Sequence, residues 1–155
     1  MIIKIPGRDT LDIRHIIFDY NGTIAIDGKV INGVTEKIQQ LAGLVEFHVI
    51  TADTYGTVEK ELEGIQCNII NLSSSKDFKS KTEYLNFLGA EHCLSVGNGF
   101  NDSDLLKESK IGIALIQDEG VCVETLMAAN IACKSIMDVF AYLETPNRLK
   151  ATLRA

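Results

Sequence analysis

The sequence predicts an α/β domain of three layers, built on a doubly wound, mostly parallel sheet. Three observations carry that expectation. Short apolar, β-branched runs alternate with helix-patterned stretches along the whole chain. The strand runs are near-continuously apolar, as in a sheet covered on both faces. The stretches between them hold a helix and a turn, which a crossover between parallel strands requires.

The elements follow in order. Met1-Ile2-Ile3-Lys4-Ile5-Pro6-Gly7 reads as a short strand ending in a turn, and residues 1–11 are expected to add an edge strand or hairpin. Residues 13–19 are a β-rich apolar run, and Asp27-Gly28 has the chemistry of a two-residue hairpin turn. Residues 34–41 have helical spacing and stop at Gly43, and residues 45–51 form the next strand. Residues 57–62 are helical up to Gly64, and residues 67–72 are a strand. Ser80-Lys81-Thr82-Glu83 is a capping box that opens a helix running to Leu88 and closing at Gly89. Strands at 93–96, 111–116 and 131–133 alternate with helices at 102–109 and 123–129. Ser135 caps a helix reaching Glu144, which Pro146 is expected to stop.

Composition narrows the classes. With 155 residues and no repeat, low-complexity segment or linker, residues 1–155 are expected to be a single domain. An apolar content of 46% excludes a disordered chain. The net charge of −6 argues against a nucleic-acid partner, which calls for a basic face. No apolar run is long enough to cross a membrane, and the N-terminus lacks the layout of a signal peptide. Cys67, Cys93, Cys122 and Cys133 form no Cys-x-x-Cys pair and read as reduced, buried thiols of a cytoplasmic protein. The three histidines (His15, His48, His92) share no spacing and give no ground for a metal role.

In a sheet of this kind the ligand site lies beyond the carboxyl ends of the strands. The residues with chemistry to offer fall there. One strand ends in Asp19, within Phe18-Asp19-Tyr20-Asn21-Gly22-Thr23; another ends in Thr51-Ala52-Asp53; a third ends in Gly97-Asn98-Gly99-Phe100-Asn101-Asp102. Lys81 opens a helix between the last two. Phosphoryl transfer needs such a set: a carboxylate nucleophile, a cation, hydrogen-bond donors and a divalent metal. Gly22 frees the backbone to wrap an anion, and Thr23 supplies a hydroxyl. Lys76 and Lys79 compete with Lys81 for the cationic role. Asp53 and Thr54 read either as a helix N-cap or as a substrate or metal contact. Tyr20 packs or lines the entrance.

Ile16-Ile17-Phe18-Asp19-Tyr20-Asn21-Gly22-Thr23 resembles the first motif of the haloacid dehalogenase (HAD) superfamily, whose usual form is Asp-x-Asp-Gly-Thr after hydrophobic residues. Thr51, Lys81 and Gly97-Asn98-Gly99-Phe100-Asn101-Asp102 resemble the second, third and fourth motifs, in order and on matching elements. More narrowly, the chain is similar to soluble P-type-ATPase-like proteins, on Asp19 to Thr23, on Thr51-Ala52-Asp53-Thr54-Tyr55-Gly56-Thr57 and on Arg148-Leu149-Lys150-Ala151-Thr152-Leu153-Arg154. The resemblance implies a HAD-type phosphatase: a magnesium-dependent phosphohydrolase or phosphotransferase acting on a phosphorylated substrate. It implies that Asp19 forms an aspartyl-phosphate. Thr51 and backbone N–H groups near Asn21 and Ala52 would hold the phosphoryl oxygens, and Lys81 would neutralise charge. Magnesium would sit on Asp19, the Asn21 carbonyl and Asn98, with Asp102 orienting that shell or binding through water.

Two positions depart from the family pattern. Asn21 stands where most phosphatases of the superfamily have the acid–base Asp. An amide exchanges no proton near neutral pH, so a long-lived phosphoenzyme is expected. Asn98 stands where a metal-binding Asp is usual, so weaker magnesium binding is expected. A second reading therefore stands beside the enzyme: a domain with weakened catalysis that binds phosphate and metal in a regulatory role. Dehalogenase chemistry needs no metal, and the Gly97–Asp102 loop argues against it. About thirty residues separate Thr23 from Thr51 and as many separate Thr51 from Lys81, which leaves no room for a cap domain. An open site implies either a large substrate or cover from a neighbouring subunit in a dimer or tetramer, as capless sugar-phosphate phosphatases of the superfamily use.

Overall fold

The computed structural model describes residues 1–53 and 56–155. The chain begins with an antiparallel hairpin, β1 (Ile2–Lys4) and β2 (Thr10–Asp12). It continues through β3 (His15–Asp19), β4 (Ala25–Ile26), β5 (Lys29–Val30), α1 (Val34–Leu41), β6 (Glu46–Thr51), α2 (Thr57–Glu61), β7 (Asn68–Asn71) and α3 (Lys81–Leu88). Then come β8 (Cys93–Gly97), α4 (Ser103–Glu108), β9 (Ile111–Leu115), α5 (Val123–Ala128), β10 (Ile131–Cys133), α6 (Ile136–Glu144) and α7 (Pro146–Leu153). One 3₁₀ turn, Ala90–His92, precedes β8, and another, Phe100–Asp102, precedes α4.

Six strands form the central sheet in the order β10-β9-β8-β3-β6-β7, and every pair in it is parallel. This is the doubly wound arrangement expected from the sequence. The chain winds outward from β3 through β6 to β7, then returns to β8 on the other side of β3. Ligand crevices form where winding reverses. β3 lies at that point, between β6 and β8, so Asp19 emerges there.

The pleat decides which way each β3 side chain faces. Ile16 and Phe18 join the larger core, with Phe47 and Val49 of β6 and Val34, Ile38, Val139 and Phe140 of α1 and α6. The rings of Phe18 and Phe47 lie 5.8 Å apart and those of Phe18 and Phe140 5.7 Å apart, within the range of favourable aromatic pairs. The alternate row, His15, Ile17 and Asp19, faces α3 and α4. There Ile17 and Ile50 pack on Tyr84, Leu85 and Leu105. Asp19 is thereby directed toward the first residue of α3, Lys81.

The hairpin expected at the N-terminus is present: β1 and β2 pair antiparallel outside the six-stranded sheet, and Ile3, Ile5 and Leu11 bury into the larger core. The helix capped by Ser135 ends at Glu144, ahead of Pro146 as expected, and Pro146 then opens a further helix, α7, because proline fits a first helical position, where no N–H partner is required. Leu149 and Leu153, one turn apart, bury the inner face of α7.

Gly112 of β9 marks a close approach. A Cβ there would lie 2.2 Å from the Leu106 carbonyl oxygen, near the end of α4. The obstacle is backbone, so the helix must move away. Gly112→Ala is expected to destabilise the protein by about 1–3 kcal/mol, the usual range for overpacking, measured by urea unfolding. Unchanged stability would show that α4 is free to shift.

Candidate active site

Asp19 leaves the end of β3 beside a buried lysine. Ser80 caps α3 by accepting the Glu83 N–H at 3.1 Å, and Glu83 reaches back to the Lys79 N–H at 2.7 Å. That cap places Lys81 in the first helical position, facing the sheet. Its Nζ lies 2.5 Å from Asp19 Oδ1 and 2.6 Å from Asp102 Oδ1. Lys76 and Lys79 are exposed, so Lys81 is the lysine that the fold brings to Asp19.

Asp102 is fully buried and its carboxylate is committed. One oxygen takes Lys81; the other accepts the N–H groups of Asn98 at 3.0 Å and Gly99 at 2.9 Å. This geometry suits orienting the loop rather than offering an oxygen to a metal. Gly97 is required by the same contact, since a Cβ there would lie 2.4 Å from Asp102 Cγ. Thr125 holds the loop from α5, its hydroxyl donating to the Gly99 carbonyl at 2.6 Å.

The first loop folds back on itself. The N–H groups of Thr23, Ile24 and Ala25 all point to the Tyr20 carbonyl at 3.0–3.2 Å, and Gly22 donates to Ala25 at 2.7 Å. Gly22 has φ +79, and a Cβ there would collide with the Asn98 side chain. Thr23 is fully buried, its hydroxyl 3.4 Å from Asn98 Oδ1. It therefore ties the first loop to the fourth and faces away from solvent. Beyond it, β4 and β5 make the expected hairpin, with Asp27 (φ 50) and Gly28 (φ 78) both left-handed, as a type I′ turn demands. Tyr20 packs in the core and its hydroxyl bonds the Gly28 carbonyl at 3.0 Å, steadying that flap.

A cleft of about 440 Å³ opens above these groups, lined by Asp19, Asn21, Thr51, Ala52, Asp53, Asn98, Gly99 and Asn101. Residues from three strand ends thus converge, as the sequence suggested. Thr51 is buried and accepts the Asp53 N–H at 3.0 Å, which leaves its hydroxyl hydrogen to donate. Asp53 Oδ2 accepts the Thr57 N–H and hydroxyl, each at 2.9 Å, so this carboxylate ties the cleft to the start of α2, whose N-cap position is Gly56. Thr54, named with it above, lies outside the described residues.

Burial pushes the Asp19 carboxyl up to about 6, with Lys81 opposing the rise and Asp102 adding to it. Burial pulls Lys81 down, but Asp19 and Asp102 outweigh it and hold its pKa above the usual lysine value. One ammonium between two carboxylates leaves a net negative site that favours a cation.

Gln117 is a loop-positioning residue that sequence reasoning missed. Its Nε2 donates to the carbonyls of Gly22 (3.1 Å) and Thr23 (2.9 Å), and its Oε1 accepts the Ile136 N–H at 2.7 Å. It staples the first loop to the start of α6. Thr125 was missed likewise. Both act through side-chain bonds to distant backbone, for which local sequence carries no signal.

Solved structures share this architecture. 3-Deoxy-D-manno-octulosonate 8-phosphate phosphatase from Moraxella catarrhalis, solved with magnesium, phosphate and KDO, matches 90% of this chain and 91% of its own, at a TM-score of 0.67 and 19% identity. The cobalt-bound deoxy-D-mannose-octulosonate 8-phosphate phosphatase from Haemophilus influenzae matches 93% and 94% at 0.68 and 11% identity. A haloacid dehalogenase-like hydrolase, SP0104 from Streptococcus pneumoniae, matches 85% and 99% at 0.62 and 12% identity. The fold is that of the HAD hydrolases. Within this HAD fold, Asp19, Thr51, Lys81 and Asn98 occupy the strand ends and helix start named from the sequence.

Sequence relatives come from Methanocaldococcus jannaschii. Uncharacterized protein MJ0073 is 44% identical over 61 residues, 39% of this chain, and the match spans 66% of MJ0073. Uncharacterized protein MJ0072 is 46% identical over 39 residues, 25% of this chain and 89% of MJ0072, so the chain belongs to one family with it. No family model matches the chain. Among the described residues, no helix is long and apolar enough to cross a membrane.

The raised Asp19 pKa has a stability consequence. Its folded value lies above the unfolded one, so folding favours the protonated form. The stability difference is largest below about pH 4 and is lost as pH rises through about 6. In magnesium-free buffer, the natural protein should lose up to about 3 kcal/mol relative to Asp19→Asn between pH 4 and 7. Parallel urea titrations across that range check this; equal slopes for the two proteins would contradict it.

Proposed function

We propose that this protein is a HAD-type phosphatase: a magnesium-dependent phosphohydrolase or phosphotransferase in which Asp19 attacks phosphorus and carries the phosphoryl group. The observation that supports it most is the buried Lys81 held between Asp19 and Asp102 at the floor of an open polar cleft. Lys81 neutralises the nucleophile and the incoming phosphoryl oxygens. Thr51 and backbone N–H groups near Asn21 and Ala52 supply hydrogen bonds to the same oxygens. Asp102 keeps Lys81 and the Asn98–Gly99 backbone in place.

The donor set suits a hard cation. Asn98 Nδ2 donates to the Gly120 carbonyl at 3.0 Å, which turns Oδ1 toward Thr23 and the first loop. Asp19, the Asn21 carbonyl and Asn98 Oδ1 are then the oxygens that would hold magnesium. Bound there, the ion would shield the charges of nucleophile and phosphate. Only one of the three donors is ionised, so binding is weak in this reading.

Asn21 lines the cleft where an acid–base carboxylate would act, and it moves no proton. Slow release of the phosphoryl group follows, which fits the likeness to P-type-ATPase-like proteins. The whole chain acts as one capless domain: the gap from β3 to β6 holds only the β4–β5 flap and α1. The cleft accepts a large phosphorylated substrate, or a neighbouring subunit of a dimer or tetramer covers it.

Incubation with a labelled phosphate donor and magnesium, quenched in acid, should trap hydroxylamine-labile label on the natural protein and none on Asp19→Asn. Asn21→Asp should shorten the label's lifetime about 10²-fold or more, within the usual worth of general acid–base catalysis. Absence of label together with absence of turnover would favour the regulatory, phosphate-binding alternative. Separately, Asn98→Asp should lower the magnesium concentration for half-maximal activity about tenfold. A metal titration of both proteins measures it, and an unchanged midpoint would remove Asn98 from the metal shell.

A further inference from the structure

We propose that His15, Glu46 and His48 form a second metal site, for a borderline divalent ion of the zinc type, at the amino-terminal end of the sheet. The three residues are far apart in sequence or share no helical spacing, but parallel pairing assembles them. His15 opens β3 and lies opposite Glu46, which opens β6; His48 follows two residues later on the same face. They occupy the row that ends in Asp19, four residues along β3, so the two sites are roughly 13 Å apart at 3.3 Å per residue.

The geometry resembles one face of a tetrahedron. His15 Nδ1 lies 3.0 Å from His48 Nε2, Glu46 Oε2 lies 3.4 Å from His15 Nδ1, and Glu46 Oε2 lies 3.8 Å from His48 Nε2. Zinc bonds of about 2.0–2.2 Å in tetrahedral geometry put ligand atoms about 3.3–3.6 Å apart, so the three sides straddle the required edge. Two imidazole nitrogens facing one another need something between them. A single shared proton satisfies them in the metal-free protein, and a metal ion replaces that proton without rearranging the strands.

The surrounding bonds prepare the ligands. His48 is buried, and its other nitrogen, Nδ1, faces the Tyr84 hydroxyl at 2.8 Å and, at the longer distance of 3.4 Å, the Asn68 amide Nδ2. With the nearer Tyr84 hydroxyl accepting a proton from Nδ1, the Nε2 lone pair is left directed at His15, an outer partner that fixes a metal-binding tautomer. The nearby charged groups are occupied elsewhere: Arg14 pairs with Asp12, and His92 Nδ1 meets the Asp12 carbonyl at 3.0 Å. Glu46 is largely exposed and offers ready access, with water as the fourth ligand. The mixed histidine–carboxylate set distinguishes this site from the all-oxygen set around Asp19, where magnesium is the better match. Such an ion would clamp β3 to β6 at the end of the sheet opposite the cleft.

The test is zinc binding by the whole, metal-stripped chain, read by competition with a coloured chelator, with cobalt as a spectroscopic substitute. The expected result is one zinc per chain and a cobalt complex with the intense visible bands of tetrahedral nitrogen and oxygen ligation. Glu46→Gln, an exposed change that leaves folding intact, should weaken zinc at least tenfold, and His15→Gln should abolish it. Tyr84→Phe should weaken it about 10–100-fold, the usual effect of losing an outer-shell partner. Asp19→Asn should bind zinc as the natural protein does. Failure to bind stoichiometric zinc would overturn the proposal. So would binding unaffected by Glu46→Gln and His15→Gln, binding lost in Asp19→Asn, or a cobalt spectrum showing thiolate charge transfer.

Discussion

Lys81 holds three parts of this protein together through one ammonium group. It joins the end of β3 through Asp19 and the loop after β8 through Asp102, and it belongs to α3. Removing such charges from water costs several kcal/mol per ion, so none of the three could be buried here alone. Together they are tolerated because each has a counter-charge and Asp102 also takes two backbone N–H groups. The requirement then spreads outward. Gly97 must lack a side chain to make room for Asp102, and Ser80 and Glu83 must hold the first turn of α3 in place. The shape of the cleft floor follows from that one contact.

Around this floor the loops are tied to one another rather than to the sheet alone. Gly22 lies against Asn98, Thr23 reaches the same amide, and Gln117 fastens both loop carbonyls to the start of α6. These side-chain bonds hold the two loops against one another before anything binds, the pre-organisation on which the proposed phosphoryl transfer would draw. Two carboxylates against one ammonium also leave a negative residue of charge. Burial raises the Asp19 pKa while Lys81 opposes the rise, so in the proposed role the charge of the nucleophile is held against the preference of its buried surroundings.

The legibility of the sequence varied by type of signal. Local signals were reliable: Ser80 and Glu83 named a helix start, Asp27-Gly28 named a hairpin turn, and apolar runs named the strands of the sheet. Pro146 shows the limit: the end of α6 ahead of it was legible, but that it also begins α7 rests on the packing of Leu149 and Leu153. Lys81 could be preferred over Lys76 and Lys79 from its place at a helix start, but its burial between two carboxylates could not be read. The bonds from Asp53 to Thr57 were likewise beyond what its place after a strand could tell.

By itself the sequence determined where the chain's chemistry stands: which residues lie at strand ends, and that Asn21 and Asn98 carry amides where the HAD motifs they resemble usually have carboxylates. Those are properties of residue identity and of a period-two pleat, which short stretches of chain encode. The tertiary structure alone decided which distant side chains meet. His15 and His48 show it most plainly. Nothing in their spacing suggests a pair, yet the parallel register of β3 and β6 sets their ring nitrogens 3.0 Å apart. Register between strands arises from the packing of the whole sheet, and a contact across 33 residues leaves no trace in the neighbourhood of either one.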